Sequence, residues 1–194
     1  TADCTDYNVM VFTGGAEVTK ENAETYLLLP DNYLSAQENA EMYFDLLPFA
    51  KECGVKIATE NMWGWDKEKD QSSFAACATS ASFNEHLDIV NDDFFVACLD
   101  IGHAEMRGSG EGAANMIRAL GNRLQALHIH DNDGNTDGHM IPFDGNLNFE
   151  KFLRKLKNLD HQPPLSLELY MSKSTMYRNA APDSFVRRAA EAAK

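Results

Sequence analysis

The run LQALHIHDNDGNTDGHMIPFDG, residues 124–145, opens as an apolar β-rich segment and passes into a loop that gathers His128, His130 and His139 with Asp131, Asp133, Asp137 and Asp144. A strand that ends in so many cation-binding side chains places chemistry at its C-terminal end. Working outward, similar short β-rich runs recur: NVMVF (8–12), VKIATE (55–60), FFVACLD (94–100) and PLSLELY (164–170). Longer helical patterns stand between them. A helix is expected from Ser35, where Ser35 and Glu38 have capping-box spacing and Ala40, Tyr43, Phe44 and Leu47 form a buried stripe; Pro48 kinks it or starts its last stretch, and Gly54 ends it. Further helices are expected behind the Ser82/Glu85 pair, over Gly112–Leu120 before Gly121, over Phe149–Leu159 after an Asn148 cap, and after Pro182 and Asp183 with Phe185, Val186 and Ala189 on the apolar side. Strands alternating with helices predict an α/β fold with a parallel sheet. No linker interrupts the pattern, so residues 1–194 read as a single domain.

The strand ends carry the functional reading. Glu60, Asp100, His128 and Glu168 sit at or near the C-terminal ends of four such runs, 40, 28 and 40 positions apart, about one βα unit each. In a parallel sheet those ends share one edge, and in a closed β/α barrel they converge on the mouth that carries the active site. Three carboxylates and one imidazole suit Mn²⁺, Mg²⁺ or Co²⁺, with Zn²⁺ as a further choice, and a six-coordinate ion keeps two positions for substrate or water. Taken singly, each residue also reads as a turn or capping residue. A glutamate inside LSLELY, on a strand expected to be buried on both faces, is costly unless paired or metal-bound. His130 is expected to face away from His128 and to support the site, and His86 and His161 to lie on the surface.

The bulk properties exclude several classes. A formal charge of −13 repels phosphate backbones, so neither nucleic acid nor an anionic membrane is an expected partner. No run approaches the roughly 20 apolar residues of a membrane span. The start TADCTDYN lacks the basic and apolar regions of a signal peptide, and Cys4, Cys53, Cys77 and Cys98 show no framework spacing. A cytoplasmic protein with reduced thiols is the expectation.

The segments IATENMWGWD (57–66), LDIGHAEM (99–106), LHIHDNDGNTDGHMIPFDGNLNFEKFL (127–153) and LSLEL (165–169), in this order and spacing, resemble the xylose-isomerase-like TIM-barrel family of sugar and sugar-phosphate isomerases, epimerases and endonuclease IV. The resemblance implies a TIM (β/α)8 barrel of which the chain covers about the last five βα units, with about three units before Thr1 absent. It implies that Glu60, Asp100, His128 and Glu168 are metal ligands, that Glu60 and Glu168 are also the catalytic acid and base, and that His103 holds a substrate oxygen. Asp137 and His139 match additional metal ligands of the endonuclease IV branch. Asp66 stands where a sugar-binding carboxylate is placed, and Trp63 and Trp65 are candidates for contact with a sugar ring. Gly134 stands where some ketose epimerases carry an arginine, and VMVFTGG where the nuclease branch carries a metal-binding histidine.

The implied function is a divalent-metal-dependent sugar or sugar-phosphate isomerase or epimerase in carbohydrate metabolism, abstracting the proton α to a carbonyl through a metal-bound enediolate. Dehydration of a cyclic keto-polyol of the inosose or dehydroshikimate type begins with the same abstraction. An abasic-site nuclease of endonuclease IV type and a binding barrel without turnover are the other readings. The partner is a small sugar or polyol, and the oligomeric state, a homo-oligomer included, is open.

Overall fold

The computed structural model describes residues 9–11, 36–66, 71–73, 75, 77–108, 111–174 and 176–193. Among them the elements run β1 (Val9–Val11), α1 (Ala36–Cys53), β2 (Ile57–Glu60), β3 (Gly64–Asp66), β4 (Gln71–Ser73), α2 (Ser80–Val90), β5 (Phe95–Asp100), α3 (Ile101–Glu105), α4 (Ala113–Leu120), β6 (Leu124–Ile129), α5 (Phe149–Leu156), β7 (Leu165–Leu167) and α6 (Pro182–Ala192). The main sheet has the order β1-β2-β5-β6-β7, and β3 and β4 form a separate ribbon after Glu60. Within the main sheet the pairings β2–β5, β5–β6 and β6–β7 are all parallel. β1 instead runs antiparallel to β2, so the parallel part has four strands where five runs were read. Hydrophobic patterning carries no strand direction, which is why sequence could not distinguish the two.

Period-two alternation divides the parallel strands into two faces. Ile57, Phe95, Ala97, Leu99 and Leu127 join the large core that α1, α2, α4 and α5 cover. Ala58, Val96, Cys98 and Ala126 form a second, smaller apolar layer on the opposite face. Two residues further along the same face stand Glu60, Asp100 and His128. The register puts Glu60 opposite Cys98 and Asp100 opposite His128. Small and aliphatic side chains thus floor the site, and its polar residues form the next layer.

The helices keep this sheet rigid. In α1 the buried residues are Ala40, Tyr43, Leu47 and Ala50, and the helix continues through Pro48. Tyr43 Oη lies 3.0 Å from Thr59 Oγ1, which ties α1 to β2. Phe44, read as part of the stripe, is 44% exposed, because it lies one residue off the facing row. Val186 in α6 departs from its expected burial for the same reason, whereas Phe185 and Ala189 are buried. Ser35 and the Glu38 side chain lie outside the described residues. The cap of α2 is Thr79, whose Oγ1 accepts from the Ser82 amide, rather than Ser82 itself. His86 is buried, not at the surface: it lies on the inward stripe of α2, where Nδ1–H donates to Ser82 O and Nε2 accepts from Asn39 Nδ2. β7 has Leu165 exposed and Ser166 and Leu167 only partly buried, so among the described residues it is not covered on both faces as expected. No helix among the described residues is long and apolar enough to cross a membrane.

Three cysteines are described, all free: Cys53 exposed, Cys77 and Cys98 buried. Burial pushes the Cys77 thiol up to about 12 and also raises that of Cys98, so neither forms thiolate near neutrality. Native protein at about pH 8 should label at Cys53 and spare Cys77 and Cys98 until denaturant is added. Peptide mapping after alkylation reads the outcome, and rapid native labelling of either buried cysteine would contradict this packing.

Candidate metal centre

Glu60, Asp100, His128 and Glu168 come together at the strand ends, each offering a ligand atom within 4.8 Å of the others. His128 Nδ1 lies 3.0 Å from Glu60 Oε1 and 2.9 Å from Glu168 Oε2. One ring N–H cannot serve both glutamates: it is aligned with Glu60, and Glu168 Oε2 is left buried without a hydrogen-bond partner among the described residues. Asp100 Oδ2 is equally buried and unpartnered. A hard divalent cation would satisfy both oxygens, and the three carboxylates with one imidazole nitrogen fit it.

The strand ends hold Asp100 firmly. Its Oδ1 accepts from the His103 amide at 2.7 Å and so caps α3, a helix that sequence did not suggest. Asn61 clamps its backbone, with Oδ1 accepting from Asp100 N at 2.7 Å and Nδ2 donating to Asp100 O at 3.0 Å. Burial opposes the Asp100 charge, yet the charge of His103, the approach of His130 and the His103 amide outweigh it and hold the carboxyl below its usual range. Attraction to His128 likewise lowers Glu168 against its own burial. Burial also works against protonation of His103 and His128, but Asp100, Asp137 and Glu60 raise His103 to about 10, and the approach of Cys98, Glu168 and Glu60 raises His128.

Beside this group stands a second. His103, His130, Asp137 and His139 also bring ligand atoms within 4.8 Å of one another. His103 Nδ1–H donates to Asn61 O at 3.0 Å, while its Nε2 lies 3.5 Å from Asp137 Oδ1. His139 Nε2 lies 3.0 Å from Asp137 Oδ2, and its Nδ1–H donates to Glu168 O. Facing these charges, Asp137 is held far below the usual carboxylate range although burial opposes it.

The loop carrying Asp137 and His139 is built on Asp131. Its carboxylate accepts from the amides of Asn132, Phe143, Gly145 and Leu147 at 2.8–3.0 Å, and its backbone pairs with Met140 in both directions. This grip offsets the cost of two non-glycine residues in the left-handed region, His139 at φ 43° and Phe143 at φ 72°. Gly145 is required by close approach, since a Cβ there would lie 2.4 Å from Asp131 Oδ1.

All six metal candidates and His103 therefore meet at one edge. Trp63 is half-buried just before the ribbon, whereas Trp65 and Asp66 lie in β3 with side chains outside the described residues. The amide of Ala113, at the start of α4, donates to Glu105 Oε1 at 2.9 Å. Asn61 and Asp131 were missed as parts of the site, and His130, expected to support it while facing away from His128, lies inside it. For His130 the signal existed: residues two apart on a strand share a face, so it follows His128 rather than facing away.

A profile described as xylose isomerase-like TIM barrel matches residues 8–192. The chain belongs to the xylose isomerase-like TIM barrel family. An uncharacterized protein of Sinorhizobium fredii, y4fM, is 35% identical over 172 residues, covering 82% of this chain and 52% of that one. D-allulose 3-epimerase from Methylomonas sp., solved with D-allulose, superposes with a TM-score of 0.62 at 21% identity, covering 80% of this chain and 53% of that one. The IolI protein, solved with a zinc atom, gives a TM-score of 0.64 at 20% identity, covering 86% and 59%. The chain thus spans about half the length of the proteins it matches. The four parallel strands are part of a TIM barrel wall.

Replacing Asp131 with Ala should cost about 2–4 kcal/mol by stranding buried amides. Hydrogen exchange at Phe143, Gly145 and Leu147 should accelerate before that of β6, and unchanged protection there would disprove the anchoring role.

Proposed function

We propose that this site belongs to a divalent-metal-dependent isomerase or epimerase of sugars or sugar phosphates that moves a proton next to a carbonyl. The observation that carries the proposal is the convergence of two glutamates, Glu60 and Glu168, within 3.0 Å of the same His128 Nδ1, with Asp100 and His103 alongside. Relatives whose names or ligands are sugar epimerases and sugars support it, and the zinc of IolI supports a metal at this mouth.

Glu60, Asp100, His128 and Glu168 would hold the cation, which when bound supplies positive charge as a Lewis acid toward substrate oxygens. Glu168, its side chain one third exposed (33%) and lowered toward the carboxylate form, takes the proton from the carbon. Glu60, at 11% exposure and 3.0 Å from the same His128 nitrogen, is the second proton carrier, delivering or removing a proton as the partner of Glu168. His103, fixed through Nδ1 to Asn61 O, donates from Nε2 to a substrate oxygen as negative charge develops. Trp63, Trp65 and Asp66, on and before the ribbon that follows Glu60, are assigned to the substrate.

Asp137 and His139 are assigned to a second ion or to the far end of the substrate, and the second ligand group supports that reading. The charge of −13 speaks against DNA as that substrate. The three cysteines among the described residues, all free, support the reading of a reducing, cytoplasmic setting.

The test is incubation with ketoses, their phosphates and cyclic keto-polyols in deuterated water with added Mn²⁺ or Co²⁺. A new stereoisomer or aldose carrying solvent deuterium beside the carbonyl is expected. Chelator should abolish it, and Glu168→Gln should lower it about 10²–10⁴-fold. An ultraviolet-absorbing enone in place of a stereoisomer would assign the site to dehydration, and absence of exchange on every carbonyl substrate would refute the proposal.

A further inference from the structure

His130 and Gly102 have no part in the reading above, yet the two sit against each other at its centre. His130 is completely buried, with Nε2 3.0 Å from Asp100 Oδ1 and 3.7 Å from Asp137 Oδ1. It belongs to the second ligand group and is the member whose ring nitrogen comes within 3.0 Å of Asp100 in the first. The His139 ring stacks against it at 4.1 Å between centroids and 20° between planes. Gly102 lies inside α3, where glycine costs about 0.5–1 kcal/mol relative to alanine. It has no positive φ to justify that cost. What it has is the neighbour: a Cβ at Gly102 would fall 2.0 Å from His130 Cε1, 2.3 Å from Nε2 and 2.5 Å from Nδ1. No side chain fits there with the ring in place, and the stacked His139 ring leaves His130 little room to withdraw.

We infer that His130 is a positioning residue for the metal ligand Asp100, and that Gly102 is glycine to seat it. The inference rests on the metal-site reading proposed above. Asp100 Oδ1 accepts from the His103 amide, and His130 Nε2, itself buried and without a hydrogen-bond partner among the described residues, lies 3.0 Å from that oxygen; Oδ2 is buried and unpartnered, the oxygen left for the ion. The backbone of Asp100 is fixed separately by Asn61, so His130 acts on the carboxylate alone. Removing the imidazole leaves a fully buried carboxylate with one amide and freedom to rotate. Adding a methyl at Gly102 displaces the same ring from the other partner's side. His130 and Gly102 therefore act as one unit, and damage to either appears at Asp100.

The experiment is Co²⁺ and Mn²⁺ affinity by chelator competition, with the Co²⁺ absorption spectrum, for the wild type and for His130→Ala, His130→Gln, Gly102→Ala and the Gly102→Ala/His130→Ala double variant. Circular dichroism verifies the fold of each. His130→Ala and Gly102→Ala should each weaken the tightest ion about 10–100-fold, the usual range for loss of a residue that supports a ligand. Ion stoichiometry should stay constant while the Co²⁺ spectrum shifts. His130→Gln, which can bring an amide N–H near the place of Nε2, should recover part of the affinity. The double variant should bind no more weakly than His130→Ala, since the methyl then meets no ring.

Unchanged affinity in His130→Ala would overturn the inference. So would the loss of one whole ion with the other's affinity intact, because His130 would then be a ligand itself. Full additivity in the double variant would separate Gly102 from His130 and refute the pairing, and should His130→Ala not fold, Gly102→Ala against His130→Gln decides the matter. A wild type that takes up no metal would bring down the metal reading and this inference together, whereas a metal-binding wild type with unaltered variants brings down this inference only.

Discussion

Three carboxylates crowd one imidazole nitrogen at the ends of β2, β5, β6 and β7, and that crowding is the constraint on which the rest of the structure depends. Two unit charges about 4 Å apart in a partly screened protein site interact by ~4 kcal/mol. Glu60, Asp100 and Glu168 therefore repel one another severely unless positive charge stands among them. A single proton on His128 Nδ1 aligns with one glutamate and leaves the other, and it does not reach the buried Oδ2 of Asp100. A divalent ion answers all three at once. The same positive charge is what an oxyanion next to the reacting carbon requires, so the electrostatic remedy and the proposed chemistry are one arrangement.

Everything around the strand ends resists the relaxation that would relieve this crowding another way. Beneath lie Ala58, Val96, Cys98 and Ala126, whose one polar side-chain atom is the Cys98 thiol beside His128. To one side Asn61 binds β2 to β5 through both of its amide atoms. Above, Asp131 gathers four amides and fixes a loop whose His139 and Phe143 adopt left-handed backbone. Neutral packing and backbone bonds thus hold the charged groups where they would not remain unaided, which is how preorganised sites store their function.

Much of this was legible in the sequence because strands advertise themselves by alternation and by what ends them. IATE, VACLD and ALH each run apolar into one ligand-type residue, and the four candidates Glu60, Asp100, His128 and Glu168 do assemble. Asp137 and His139 assemble as well, in the second group. What escaped was whatever depends on three dimensions. Strand direction is invisible to hydropathy, so β1 was expected to be parallel. The inward row of a helix is sensitive to one residue of phase, so Phe44 and Val186 were expected inside. Asn61 and Asp131 act through backbone groups that carry no sequence signature, and Gly102 is explained only by the ring that lies against it.

The metal centre is the claim on which the function and the role of His130 both rest. Elemental analysis of protein purified without chelator, beside a His128→Ala variant, tests it most directly. About one Mn, Co, Mg or Zn per chain in the wild type, lost in the variant, is the predicted result, with a second ion assigning Asp137 and His139 to the coordination shell. Absence of metal from both proteins, even after soaking with each of these ions, would contradict it.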